Sequence, residues 1–218
     1  MTAPTVACVL RSSTEYKPEY VVRLYEDVRR NWTGALDFLC LTDTPIGHDN
    51  IREIPLEHNW PGYWSKLELF RPDIRGHLLY LDLDVMVLGS LSNFRAVTCL
   101  TMLRAMRPHR ACVCNSSIMS LPKAERRPVW EMFMRDPGGN IKAHKWGAKD
   151  PYAYGDQGFI QKAFERAGRP VEWWQDLLPG RTQSYKKQVA LNGLGRNTRI
   201  VYFHGKPKPW DIGWRLPR

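Results

Sequence analysis

The chain is punctuated by short apolar runs, each closing into a polar loop. Val6 to Leu10 is the first and ends in Arg11-Ser12-Ser13-Thr14, which predicts a buried strand leading into a loop. Pro18 opens a segment in which Val21, Leu24, Tyr25, Val28 and Trp32 recur at helical spacing, with Asn31 and Gly34 at its end. Leu36 to Leu41 predicts a second strand, closed by Thr42-Asp43-Thr44-Pro45, and Ile51 to Ile54 a short third one before Pro55. Ser65 to Phe70 reads as a helix stopped near Pro72, because proline disfavours helix at the residue before it. Leu78 to Leu81 predicts a buried strand that runs into Asp82-Leu83-Asp84 and then Val85 to Leu88.

The second half is less regular. Ala111 to Leu121 is apolar around Asn115-Ser116-Ser117, and Ala124 to Met134 predicts a helix. Pro137-Gly138-Gly139-Asn140 reads as a turn or loop. A helix is expected from near Asp156 to Ala167, with Gly168 at its C-terminal cap, and Arg199 to Phe203 predicts a late strand. This alternation of helix and strand signals predicts an α/β fold, a mostly parallel sheet with helices on both faces. Neither an internal repeat nor a linker interrupts the chain, and its length suits a single domain over residues 1–218.

Composition narrows the picture little further. No window approaches the roughly 18 apolar residues of a membrane-spanning helix, and the first residues lack the pattern of a secretory signal, so a cytoplasmic location is expected. Five cysteines cannot all pair within the chain, and Cys112 and Cys114, two apart on a strand, are expected on one face as buried thiols. The formal charge of +10 suits anionic ligands of several kinds: a sugar nucleotide, a nucleic acid, an acidic glycan or a membrane phosphate. Nine tryptophans lean weakly towards carbohydrate, since indole rings stack on sugar faces, although most tryptophans are core residues.

Four constellations carry candidate chemistry. Tyr80-Leu81-Asp82-Leu83-Asp84 sets two carboxylates at the end of a buried strand, where open α/β sheets bind ligands. Burying both is costly without a cation, and their hard oxygens suit Mg²⁺ or Mn²⁺ bridging two phosphates; the plain alternative is a capped turn with two solvated aspartates. In Phe203-His204-Gly205-Lys206-Pro207-Lys208-Pro209-Trp210, His204 can complete a metal site, Gly205 permits close approach to a phosphate, and Lys206 or Lys208 can offset diphosphate charge. Asp156, in Tyr154-Gly155-Asp156-Gln157-Gly158, either caps a helix or stands with Gln157 at the mouth of a site. Lys66, in Trp64-Ser65-Lys66-Leu67, either reaches phosphate or sugar or is an exposed helix lysine. Arg11 and Asp43, at the ends of early strands, either line a base pocket or are loop residues.

Taken in order, Ser65 to Phe70, Tyr80 to Asp84, Cys114 to Met119, Asp156-Gln157-Gly158, and His204-Gly205 through Lys208-Pro209-Trp210 resemble the motifs of glycosyltransferase family 8, which includes glycogenin and bacterial lipopolysaccharide galactosyltransferases. Compact bacterial and phage members are the nearer likeness. The resemblance spans roughly residues 6 to 210. It implies a GT-A glycosyltransferase fold with a Rossmann-like sheet. It also implies Asp82, Asp84 and His204 as ligands of Mn²⁺ or Mg²⁺. Arg11, Lys66, Asp82, Leu83, Asn115, Ser116, Gly205, Lys206 and Lys208 would surround a nucleotide-sugar donor. Asp156 and Gln157 would lie near the anomeric carbon of a hexose, glucose or galactose, carried on UDP and transferred with retention. The C-terminal motif departs from the family pattern: glycine follows His204 at once and Lys208 comes early. The acceptor is left open among a glycan, a lipid-linked glycan, a protein and a nucleic acid. Two other classes remain in view: a nucleotidyltransferase acting on a sugar phosphate, and a non-enzymatic binding module for an anionic polymer. Against the first, Arg11-Ser12-Ser13-Thr14 lacks glycine and carries a single basic residue.

Overall fold

The computed structural model describes residues 3–109 and 111–216. Strand β1 (Thr5–Leu10) is followed by helix α1 (Pro18–Arg30), and then by β2 (Phe38–Thr42), β3 (Arg52–Pro55) and β4 (Leu78–Leu81). These four strands run parallel in the spatial order β3-β2-β1-β4. Next come β5 (Val85–Val87), α2 (Ser92–Ala96), β6 (Thr101–His109) and β7 (Cys112–Leu121). The last two continue the sheet beyond β4, with β7 antiparallel to both β4 and β6. Helices α3 (Lys123–Met134), α4 (Pro137–His144) and α5 (Gly155–Arg166) lead to β8 (Glu172–Trp173) at the far edge. A second sheet, ordered β5-β10-β9, is built with β9 (Thr182–Ser184) and β10 (Ile200–Tyr202).

Alternation along β1 sorts its side chains onto two faces. Val6, Cys8 and Leu10 pack with Val21, Leu24 and Val28 of α1. Ala7 turns the other way, with Leu39, Leu41 and Tyr80, against Val129 and Phe133 of α3 and Phe159 and Phe164 of α5. Helices therefore cover both faces, as the alternating pattern predicts. Cys112 and Cys114 share the α5 side of the sheet. Among the described residues no helix is long and apolar enough to cross a membrane.

Several expectations are corrected. Pro137 to Asn140 is not a loop but the first turn of α4. Proline at the start of a helix forfeits only an N–H that has no partner there, and the Asp136 side chain caps the turn by accepting from the Gly139 N–H at 2.9 Å. The segment before β4 is a 3₁₀ stretch over Gly62–Phe70 rather than an α-helix. Strand β3 lies one residue later than the apolar run, because Ile51 is buried ahead of it. The apolar run of β7 belongs to a hairpin with β6, a strand not anticipated, and that short connection forces the antiparallel direction.

Two buried charges hold the segment before β4 in place. The Glu68 carboxylate is inaccessible to solvent and accepts the N–H groups of Glu57 and His58 at 2.7 and 2.8 Å while pairing with Arg71 at 2.9 Å. The Arg126 guanidinium donates to the carbonyls of Leu69, Ile74 and Gly76 at 2.8 to 2.9 Å, and burial brings its pKa down to about 10.

Candidate active site

A cleft of about 990 Å³ opens at the C-terminal ends of β1 and β4. Of the candidate residues predicted from the sequence, Arg11, Lys66, Asp82, Leu83, Asp84, Asn115, Ser116, Asp156, Gln157, His204, Gly205, Lys206 and Lys208 line it, whereas Asp43 is not among its lining residues. The fold explains how distant motifs meet. Because β7 runs back along β4, Ile118 stands opposite Leu81, and the Asp82 N–H donates to the Ser117 carbonyl at 2.9 Å. Asn115 and Ser116 therefore overhang the end of β4.

Lys66 occupies the centre. Its ammonium lies 2.9 Å from Asp82 and 3.1 Å from Asp156, and it donates to the Ser116 hydroxyl at 2.9 Å. Ser116 in turn donates to Asp156 at 2.8 Å. Burial works against the Lys66 charge, but Asp156 and Asp82 outweigh it and hold the pKa above the ordinary lysine range. For Asp82, burial alone would raise the carboxyl pKa. Lys66 and the Tyr80 hydroxyl, which donates at 2.5 Å, bring it below the usual carboxylate range instead. Asp156 lies inside the first turn of α5, whose cap position is Tyr154, so its carboxylate serves Lys66 and Ser116 rather than the helix end. Lys66 is likewise no surface lysine: its side chain is 7% exposed.

Asp84 has a separate set of partners. Lys208 pairs with it, the Tyr16 hydroxyl donates to it at 3.2 Å, and Lys208 also donates to Tyr16 at 2.8 Å. Burial and the neighbouring negative charge of Asp82 push the Asp84 pKa up, and Lys208 offsets only part of that. His204 shares a 2.8 Å hydrogen bond with Ser184 and is kept neutral, first by burial and then by Lys186, Lys187 and Lys208. Lys206 points outward to Glu15 and Asp211, with its side chain 66% exposed. Lys208, at 12%, is therefore the inward member of the pair.

The remaining candidates play quieter parts. Leu83 packs its side chain into the α1-side core. Asn115 accepts the Ser117 N–H at 2.9 Å, and the Gln157 carbonyl receives the Cys114 thiol. Arg11 reaches Asn59 and pairs with Asp43 at 3.4 Å; Asp43 also accepts the Ser12 N–H at 2.8 Å, bracing the loop from behind the cleft.

Two carboxylates and a neutral imidazole facing one cleft form a donor set that suits Mn²⁺ or Mg²⁺. Among the described residues, no three His, Cys, Asp or Glu side chains are drawn together closely enough to hold an ion as they stand; Lys66, Lys208 and Ser184 engage the would-be ligands.

Sequence reasoning missed Tyr16, Tyr63, Trp146, Lys186 and Lys187, all of which line the cleft. The adjacent lysines were a signal, being an acid-free basic pair shortly before the last strand. Tyr63 stands beside the Trp64-Ser65-Lys66 motif. Nothing local marked Trp146.

Sheet order, helix placement and cleft define the class: this is the GT-A glycosyltransferase fold. An active-site mutant of LgtC is similar with a TM-score of 0.65 at 14% identity, over 94% of this chain and 89% of that one. The galactosyltransferase LgtC in complex with donor and acceptor sugar analogs gives 0.62 at 15%, over 94% and 89%. The apo form of the glycosyltransferase GlyE from Streptococcus pneumoniae TIGR4 gives 0.60 at 13%, over 96% of this chain and 56% of that one, so this chain spans little more than half of GlyE. No protein-family profile and no curated protein sequence matches the chain.

Proposed function

We propose that this chain is a metal-dependent glycosyltransferase. It would move a hexose, glucose or galactose, from a nucleoside-diphosphate sugar, with UDP the first choice, to an acceptor with retention of configuration. One observation carries the reading: after β4, Lys66 joins Asp82 to Asp156, and Asp84, paired with Lys208, faces the same large cleft. The complex of LgtC with donor and acceptor sugar analogs supports it, since that protein has the same fold.

In this reading Asp82, Asp84 and His204 would hold Mn²⁺ or Mg²⁺, which would supply positive charge beside the departing diphosphate. Lys208, already beside Asp84, adds positive charge at the inner phosphate, while Lys206 serves the rim. Ser116 and Lys66 hold Asp156 so that its carboxylate stabilises positive character on the donor sugar. The acceptor attacks from the leaving-group side and passes its proton to the departing phosphate oxygen. A glycosyl adduct trapped on Asp156 would reassign that residue as a nucleophile.

A thermal-shift panel of nucleoside diphosphates and sugar nucleotides, each with and without Mn²⁺, tests the proposal. A shift for a uridine ligand that needs Mn²⁺ and disappears in Asp84→Asn is the expected result. Equal shifts with and without the ion would remove the metal from the reading. No shift with any nucleotide would remove the donor.

A further inference from the structure

The second sheet, ordered β5-β10-β9, carries polar chemistry at both of its ends. Strands β9 and β10 run parallel, with Thr182 opposite Ile200 and Ser184 opposite Tyr202, and β5 runs against β10, with Val87 opposite Ile200. Asp84 therefore enters β5 at the end where His204 leaves β10, and both line the cleft. Roughly 10 Å of strand separates that end from the other. The far end gathers Arg181 just before β9, Arg199 just before β10, and Gly89 and Ser90 shortly after β5.

These segments enclose a second cavity, apart from the cleft. Its volume is about 140 Å³, and Arg181, Arg199, Ser90, Asn93 and the buried Phe94 line it. At about 30 Å³ per water, it has room for a handful of waters or one phosphate-sized oxyanion. The Arg199 N–H donates to the Arg181 carbonyl at 2.8 Å, which fixes the two residues side by side. The Arg199 stem then crosses Gly89, where an added Cβ would stand 2.6 Å from its Cδ, so glycine gives that side chain its path.

Among the described residues no acidic side chain pairs with either arginine. Arg181 donates to the Asn197 carbonyl at 3.4 Å, and Arg199 to the Thr198 carbonyl at 3.2 Å. The surrounding chain has the same sign: residues 177–210 hold seven Lys and Arg and no Asp or Glu. A guanidinium is a planar fork of five donors that matches phosphate geometry. Two such forks beside a hydroxyl and an amide, with no carboxylate in the lining, provide charge-assisted donors around one small cavity.

We infer that Arg181 and Arg199, with Ser90 and Asn93, form a second anion site that takes a phosphate group, whether free or on a lipid headgroup. The site is independent of what the cleft transfers.

The test titrates inorganic phosphate into the ¹⁵N-labelled full chain in phosphate-free buffer, with sodium chloride at matched ionic strength as the control. Saturable amide shifts are expected across residues 89–93, 181–182 and 197–200, with a Kd on the order of 1 mM. Arg181→Gln and Arg199→Gln should each weaken that response about tenfold and leave any response of the cleft amides at 82–84 and 204–208 in place. No saturable shift at the far end in the wild type, or the same shift with chloride, would overturn the inference, and neither outcome depends on a variant folding. A far-end response equally strong in both folded variants would overturn it too. Given the phosphate shifts, sedimentation with phosphatidylcholine vesicles containing phosphatidylglycerol separates the sources. Vesicle binding lost in the two variants assigns the site to a lipid headgroup. Vesicle binding that is absent, or unmoved by both substitutions, assigns it to a free phosphate.

Discussion

Lys66 holds its ammonium 3.1 Å from the Asp156 carboxylate, joining the segment before β4 to the first turn of α5. The same ammonium serves Asp82, so one buried cation stands between two acids. Removing one partner of such a group leaves uncompensated charge in a poorly solvated place. Lys66→Met is therefore expected to lower stability by about 3 kcal/mol in urea unfolding. Adding Asp156→Asn to that variant should recover part of the loss, because one stranded charge goes with it. If the double variant is less stable than Lys66→Met by the full cost of a second independent change, the two residues are not coupled.

Gly158 belongs to the Asp156-Gln157-Gly158 motif, and its need for glycine is one of packing. A Cβ there would lie 2.0 Å from the Tyr152 carbonyl oxygen. Backbone cannot swing aside as a side-chain tip can, so Gly158→Ala should cost about 1–3 kcal/mol and displace the start of α5. A thermal melt reads the stability change; a melt matching the wild type would show that the 152–158 segment gives way freely.

Arg126 lies buried, no acidic side chain among the described residues pairs with it, and main-chain carbonyls accept its hydrogen bonds. Arg126→Met keeps the stem but leaves three carbonyls without that donor. The expected loss is about 3 kcal/mol, with faster amide exchange across residues 69–76 as its local signature. Stability loss with unchanged exchange there would place the effect elsewhere.

His77, His144 and His204 each have a pKa below the ordinary 6.5, with burial the largest cause. The unfolded chain then takes up protons below pH 6.5 that the folded chain refuses, so stability falls as the pH drops through that value. His144 donates through Nδ1 to the Asn140 carbonyl of its own helix at 2.9 Å, and lies far in sequence from Asp82 and Asp84. In His144→Gln, the difference in urea midpoint between about pH 7.5 and pH 5.5 should shrink relative to the wild type. An identical pH slope in both proteins would remove His144 from the account.

Much of this arrangement was legible in the sequence, and particular residues show why. Strand β1, helix α1 and strand β4 announce themselves because each buries one pattern: a continuous run for the strands, a repeat near 3.6 for the helix. The motifs around Asp82, Asp156 and His204 could be picked out because acids and imidazole beside apolar runs need a reason. Their partners could not. That Lys66 rather than a helix end receives Asp156 depends on β7 lying beside β4, a long-range pairing no local pattern encodes. Glu68 looked like one more polar residue in a helix, yet it anchors two N–H groups from a loop ten residues away. Helix α4 was hidden because proline and two glycines argue for a turn, whereas Asp136 supplies the cap that starts a helix there. Trp146 carried no local mark, since exposure is a property of the finished surface.

The overhang of β7 beyond β4 has a mechanical consequence. Asn115 stands opposite Leu103 of β6 and Ile118 opposite Leu81 of β4, so the strand that carries Asn115 and Ser116 is held at both edges just before it reaches the cleft. A sliding strand would have to move by two positions before a side chain again faced the cleft. This part of the cleft floor is thus set by the sheet when the chain folds, with little left for a loop to settle into place. Errors of position at Ser116 would have to be inherited from the sheet itself.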